Sequence, residues 1–152
     1  MRFPSKEVRL FELSRRGHER ARDLLVAAAD ASATPTDALR AIIGGFSRWH
    51  AEHYELGRIV QFEFRHLRPE HRDAVLGLRK EIDPVVAGVL RDGVGTGEFA
   101  VTEVPATALA LPSMAIDVAR WYAPDVRRTP EAIEATYGEL AVRLVRAPAP
   151  SA

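Results

Sequence analysis

The sequence contains no cysteine, which excludes disulfides, thiolate nucleophiles and cysteine-based metal sites. It also lacks a signal-peptide pattern and any apolar run long enough to span a bilayer, so we expect a cytoplasmic protein without membrane contact. Its 21 basic and 21 acidic residues give a formal net charge of zero, so long-range attraction to nucleic acid is absent. The chain alone does not have the charge of a DNA-binding protein.

Motifs for covalent catalysis and nucleotide hydrolysis are missing as well. There is no Gly-x-Ser-x-Gly, no Ser/His/Asp arrangement and no Gly-Lys-Ser/Thr phosphate loop. The glycines between residues 93 and 97 follow a helical pattern and not a strand, which indicates a turn. We therefore predict a protein that is not an enzyme, with no catalytic residues, no metal site and no cofactor.

What the sequence does contain is helical periodicity along nearly its whole length. With 152 residues and 47% apolar residues, it can form one domain with a full core. No segment alternates with the period of a strand. The sequence predicts an all-α fold, an antiparallel bundle of about six helices over residues 1–146, followed by a disordered proline-rich tail at 147–152.

Four residues have the character of helix caps. Ser5, Thr34 and Thr129 each precede a helical pattern, and a proline follows directly after both Thr34 and Thr129. Thr102 stands before a further apolar pattern. We predict that helices start just after these four positions.

The most regular apolar stripe belongs to residues 67–99. It predicts one long helix that Pro69 starts and that Gly93, Gly95 and Gly97 stop. Two interior prolines, Pro84 here and Pro112 further on, are expected to bend their helices. Such bends either wrap a helix around its neighbours or separate helices and leave a cavity. The stripe consists of Val75, Leu78, Ile82, Val85 and Val89.

Several segments, in this order and spacing, resemble the TetR-type transcriptional repressors. They are FPSKE at 3–7, LRPEHRDAVLGLR at 67–79, RDGVGTGEF at 91–99, and WYAP at 121–124 with TPEAIEATYGELAVRLV after it. The resemblance implies the C-terminal effector-binding and dimerisation domain. Because FPSKE resembles the junction after the helix-turn-helix, we expect the DNA-binding head to be absent from this chain, which is either a truncated repressor or a headless homologue. DNA would then be bound only through that missing segment.

The resemblance also implies a pocket for a small hydrophobic effector, such as an acyl-CoA or a lipid-like compound. Apolar walls with few polar groups describe such a pocket, although they also describe an ordinary core. The residues that we predict to line it are Phe46, Trp49, His53, Ile59, Glu63, Leu78, Ile82, Val86 and Met114.

The last two predicted helices combine small residues with large apolar ones. Small residues let helices approach closely, and an apolar face larger than one chain can bury indicates a second copy. In the TetR family these helices form the dimer interface, so a homodimer is expected, although each of these residues taken singly would suit an ordinary core equally well. The predicted interface residues are Ala108, Ala115, Ala119, Tyr122, Ile133, Tyr137, Leu140 and Leu144.

An alternative from a different class is a ferritin-like metal enzyme. Glu63 and His66 have the Glu-x-x-His spacing that places two ligands on one helix face, and His50 and His53 form another close pair. A di-metal site needs the Glu-x-x-His motif twice, and it occurs once. The effector-binding domain is therefore the preferred interpretation.

Overall fold

A computed structural model describes residues 5–149, and this part of the chain is helical apart from short connections and one isolated bridge between Phe99 and Arg146. The predicted all-α fold is confirmed. The predicted segment FPSKE and the predicted tail lie partly outside the described residues. The α-helices are α1 (Lys6–Ala31), α2 (Pro35–Glu52), α3 (Tyr54–Glu63), α4 (Pro69–Lys80), α5 (Asp83–Thr96), α6 (Val104–Trp121) and α7 (Pro130–Val145), with a 3₁₀ turn at Phe64–His66.

Three of the four predicted caps are confirmed. The side chains of Ser5, Thr34 and Thr129 each accept a hydrogen bond from the backbone N–H three residues later, which satisfies an N–H that has no partner within the helix. The predicted cap at Thr102 is wrong, because α6 starts one residue later with Glu103 as its N-cap and without a side-chain cap.

The predicted long helix over residues 67–99 is divided into α4 and α5. The chain makes a turn at Glu81 and Ile82, and Pro84 lies in the first turn of α5. Proline has no N–H to donate, which costs nothing in a first turn but would leave an unpaired carbonyl within a longer helix. Of the three glycines expected to stop this helix, only Gly97 does so, with a φ of 82°.

The other interior proline, Pro112, does not divide its helix. α6 runs as one helix from Val104 to Trp121 with Pro112 inside it and buried. Because Pro112 has no N–H, the carbonyl oxygen of Ala108 loses its helical partner. α6 therefore lacks one backbone hydrogen bond next to a proline that faces the protein interior.

The core is organised around α2, whose residues Leu39, Ile42 and Ile43 are fully buried. α2 packs most extensively against α7 and also contacts α1, α5 and α6. The last two helices, α6 and α7, contact each other little and instead both pack on α2. α4 is the most peripheral helix, since it packs mainly against α1.

Candidate functional site

A cavity of about 380 Å³ lies between α1, α2, α3, α4 and α6, next to the turn that separates α4 from α5. Its size falls within the range of roughly 300–1,000 Å³ that is typical of small-molecule sites. Most of the wall is apolar. The principal apolar side chains are Phe46, Trp49, Leu56, Leu76, Ile82 and Leu109.

The cavity exists partly because α1 presents small residues to it. Gly17 and Ala21 are buried in the wall, one turn apart. A Cβ atom at Gly17 would lie 3.6 Å from Leu56 Cδ2 and 3.7 Å from Trp49 Cη2, which are ordinary van der Waals distances. A methyl group therefore fits at position 17, whereas a longer side chain would enter the cavity.

Pro112 and its neighbour Ser113 form part of the α6 wall. The hydroxyl of Ser113 donates to the carbonyl oxygen of Leu109 at 2.7 Å. Leu109 and Ile116, on either side of Pro112, both line the cavity. The proline therefore lies at the cavity, as one of the two interpretations of its sequence position anticipated.

His18 and Arg79 form the main polar part of the wall. His18 Nδ1 lies 2.7 Å from the Ser14 carbonyl oxygen, so Nδ1 carries the proton that it donates there. His18 Nε2 is then the acceptor for Arg79 Nε, at 3.4 Å. Burial is the main cause that lowers the pKa of His18, with Arg79 acting in the same direction, so the ring is neutral at pH 7.

Arg79 is held from a second side by an aromatic ring. Its guanidinium carbon lies 4.5 Å from the ring centroid of Phe64, a cation–π distance. Burial lowers the pKa of Arg79, although a guanidinium keeps its charge at any physiological pH. Arg79 is thus a fixed cation in a mostly apolar wall.

His50 contributes a second neutral imidazole. It is 7% exposed, and its Nδ1 lies 2.8 Å from the Phe46 carbonyl oxygen. Burial is the main cause that lowers its pKa to about 4. Its hydrogen bond runs along its own helix, which fixes the ring against Phe46 and Trp49.

Three of the predicted pocket residues, Phe46, Trp49 and Ile82, line this cavity. The other six do not border it and lie at different places in the structure. His53 and Ile59 are exposed, Glu63 lies 3.7 Å from Lys6 Nζ, Val86 is fully buried in the main core, and Leu78 and Met114 are half-buried.

The six predicted residues that do not border the cavity were misplaced for a common physical reason. In α3 the residues that face the cavity are Leu56 and Val60, so Ile59 and Glu63 lie on other sides of that helix. In α4 the cavity residues include Leu76 and Arg79. Periodicity identifies an apolar stripe, but a short helix with apolar residues on several sides does not reveal which of them faces a cavity.

The predicted dimer face requires a correction. Ala108, Ala115, Ala119 and Ile133 are at most 2% exposed within the single chain, so they cannot contact a second copy. The small residues serve packing inside the chain instead, since a Cβ at Gly57 of α3 would lie only 2.7 Å from Ala119 Cβ. Tyr122 is also buried.

The remaining predicted interface residues are accessible. Leu140 is 42% exposed and Leu144 is 65% exposed, one turn apart on α7. Tyr137 is half-buried on the same helix and packs beside Ile133, together with Trp121 from the end of α6. An apolar surface on the outside of α7 therefore remains.

A sequence model described as tetracyclin repressor-like, C-terminal domain, matches residues 32–145, which include six of the seven helices. The chain belongs to the TetR family. The match confirms the resemblance of the sequence to the C-terminal domain of these transcriptional regulators, which binds ligand and mediates dimerisation.

Solved TetR-family structures have the same fold. A bacterial regulatory protein of the tetR family from Rhodococcus RHA1 is 31% identical, with a TM-score of 0.87, and the alignment covers 95% of this chain and 76% of that one. The TetR family transcriptional regulator PfmR from Thermus thermophilus is 28% identical, with a TM-score of 0.83 and coverage of 91% and 76%.

A third structure is AibR in complex with isovaleryl coenzyme A and operator DNA, which is 19% identical, with a TM-score of 0.77 and coverage of 90% and 74%. At this identity the likeness shows the fold alone. A comparison with curated proteins finds no match.

The ferritin-like alternative finds no support in this TetR fold. Between residues 5 and 149, no three histidine, aspartate or glutamate side chains converge into a group that could hold a metal ion. In the same part of the chain, no helix is long and apolar enough to cross a membrane.

Proposed function

We propose that the cavity between α1, α2, α3, α4 and α6 is the effector site of this TetR-family domain, and that its effector is a small, largely apolar molecule. The observation that supports this most strongly is the cavity itself, which is large enough for a small molecule and mostly apolar. In its wall, His18, His50 and Ser113 each make an internal hydrogen bond, so these three groups are already ordered before a ligand enters.

The connections of α4 to α1 suggest how an effector acts on the rest of the protein. Near the start of both helices, Glu7 pairs with Arg68 Nε at 3.0 Å and with His71 Nδ1 at 3.3 Å. Near the other end of α4, Arg22 pairs with Glu81 at 2.6 Å. A ligand that displaces α4 would therefore also move α1.

We further propose that DNA is reached only through a helix-turn-helix outside residues 5–149, attached at the start of α1. The formal net charge of zero supports this, because binding to the phosphate backbone depends on an excess of basic groups. The complex of AibR with isovaleryl coenzyme A and operator DNA shows both functions in one protein of this fold. Such a regulator would work in the cytoplasm, without catalysis.

Dimerisation is the third part of the proposal. Leu140 and Leu144 on α7, with Tyr137 beside them, provide an apolar surface that is continuous along the helix. A symmetric dimer would place this surface against its own copy, as closed two-fold oligomers do. The buried alanines of α6 have no part in this interface.

The effector site is tested by filling it. In the Gly17→Leu variant, the new side chain would occupy space between Trp49 and Leu56, whereas Gly17→Ala leaves most of the cavity open. Isothermal titration with fatty acids, fatty alcohols, acyl-CoA thioesters and steroids should identify at least one ligand of the wild type. Gly17→Leu should weaken the binding of that ligand more than tenfold and Gly17→Ala should not. Equal binding by all three proteins would refute the cavity as the site.

A further inference from the structure

We infer that the effector is an amphipathic anion, with an apolar body in the cavity and one negatively charged group that binds Arg79. This inference rests on the proposed function, because it takes the cavity to be the effector site, and it adds the chemical class of the ligand. No part of the sequence pattern singled out Arg79.

Arg79 is a cation without an anionic partner among the described residues. Between residues 5 and 149, no carboxylate oxygen lies within 4.0 Å of its nitrogen atoms. The contacts it does make are to neutral groups, the Nε2 atom of His18 and the ring of Phe64. A guanidinium carries five N–H donors, and Nε uses one of them on His18, so donors remain for a ligand.

The charges around the cavity favour an anionic group on the part of the ligand that meets Arg79. Arg79 and Lys80 contribute two positive charges and Asp83 contributes one negative charge, while His18 and His50 are neutral at pH 7. One net positive charge therefore remains in a mostly apolar site. An anionic group on the ligand would neutralise it, and a cationic ligand would meet repulsion.

The position of Arg79 also suits a ligand with two different ends. It comes from the peripheral helix α4, whereas the apolar walls come mainly from α2, α3 and α6. His18 and Phe64 hold the guanidinium from two sides, which reduces the conformational entropy lost when an anion binds.

Carboxylates and phosphates share this recognition chemistry, since both accept paired hydrogen bonds from arginine. A free fatty acid would place its carboxylate at Arg79, whereas an acyl-CoA thioester would have to use its phosphates. The fatty acid and the acyl-CoA thioester differ in the distance between the anionic group and the apolar chain. Decanoate, decanoyl-CoA and the uncharged 1-decanol are therefore the probes.

Titration calorimetry should show that decanoate or decanoyl-CoA binds the wild type at least tenfold more tightly than 1-decanol. Arg79→Gln should weaken the binding of the anion about 10- to 100-fold, as expected for loss of a charge-assisted hydrogen bond, and leave that of 1-decanol within about twofold. Unchanged 1-decanol binding also shows that the variant is folded. Arg79→Lys, which keeps the charge, should recover part of the affinity.

Arg91→Gln, which removes an exposed cation from α5 away from the cavity, is the control and should change nothing. If 1-decanol binds as tightly as both anions, or if Arg79→Gln does not weaken the binding of the anion, this inference is wrong while the proposed effector site stands. If no apolar compound binds in the cavity at all, the proposed function fails as well.

Discussion

Gly44 in α2 lies directly against the backbone of Glu134 in α7, and a Cβ atom at position 44 would lie 2.7 Å from the Glu134 carbonyl oxygen. α7 has a matching glycine against the backbone of α2, because a Cβ at Gly138 in α7 would lie 2.7 Å from the Arg40 carbonyl oxygen in α2. Two glycines, one on each helix, thus permit a very close contact between these two helices.

We predict that Gly44→Ala destabilises the protein, even though alanine is the better helix former. The added methyl group would force α2 and α7 apart, and overpacking of this kind costs about 1–3 kcal/mol. The neighbouring Gly45→Ala is the control, since its Cβ would meet only the flexible Leu24 side chain at 3.4 Å. Urea denaturation should show a lower midpoint for Gly44→Ala than for Gly45→Ala. A Gly44→Ala variant as stable as the wild type would contradict the close packing.

The outer surface of α7 gives a second prediction. Leu144→Asp should dissociate the proposed dimer and leave the monomer folded, because Leu144 is 65% exposed in the single chain and would be buried only in a dimer. Val94→Asp on α5, where Val94 is 42% exposed, is the control and should remain dimeric. Sedimentation velocity over a range of concentrations measures both. A dimeric Leu144→Asp protein would exclude this surface as the interface.

His50 gives a prediction about pH. Its pKa is about 4 in the folded protein against about 6.5 when unfolded, so the unfolded chain binds the proton first as pH falls. Its contribution to stability should be constant above pH 6.5 and should decrease by about 3 kcal/mol in total as pH falls toward 4. His18, whose pKa burial also lowers, acts in the same direction.

The prediction is checked by the free energy of unfolding at several pH values between 6.5 and 4.5, where most carboxylates are still ionised. Replacing the buried imidazole in His50→Gln should flatten this pH dependence, whereas replacement of the exposed His53 by glutamine should preserve it. If His50→Gln shows the same slope as the wild type, His50 is not the group responsible.

The sequence predicted the fold class and most helix starts because those depend on local chemistry. The hydroxyls of Ser5, Thr34 and Thr129 cap the helices that follow them, and the prolines after Thr34 and Thr129 occupy first turns. The division between α4 and α5 was harder to predict. Pro84 fits either a kink within one helix or the first turn of a new helix, and tertiary packing decides between them.

The cavity was less predictable than the fold. Phe46, Trp49 and Ile82 were identified by their apolar character, but Gly17 and Arg79 were not, because nothing in the pattern around them shows that α1 and α4 border the same space. For the alanines of α6, the sequence indicated close packing correctly but did not show which surface they pack against. A stripe of small residues indicates close packing, yet it does not distinguish packing inside the chain from packing against a copy.

The most direct test of the effector site is a crystal structure of the protein with decanoate. We expect electron density for the chain between Trp49 and Leu109, with the carboxylate within hydrogen-bond distance of the Arg79 guanidinium. Gly17→Leu crystals, treated in the same way, should contain no decanoate there. Density for decanoate on the outer surface, with the cavity between α1 and α6 left empty, would show that this cavity is not the effector site.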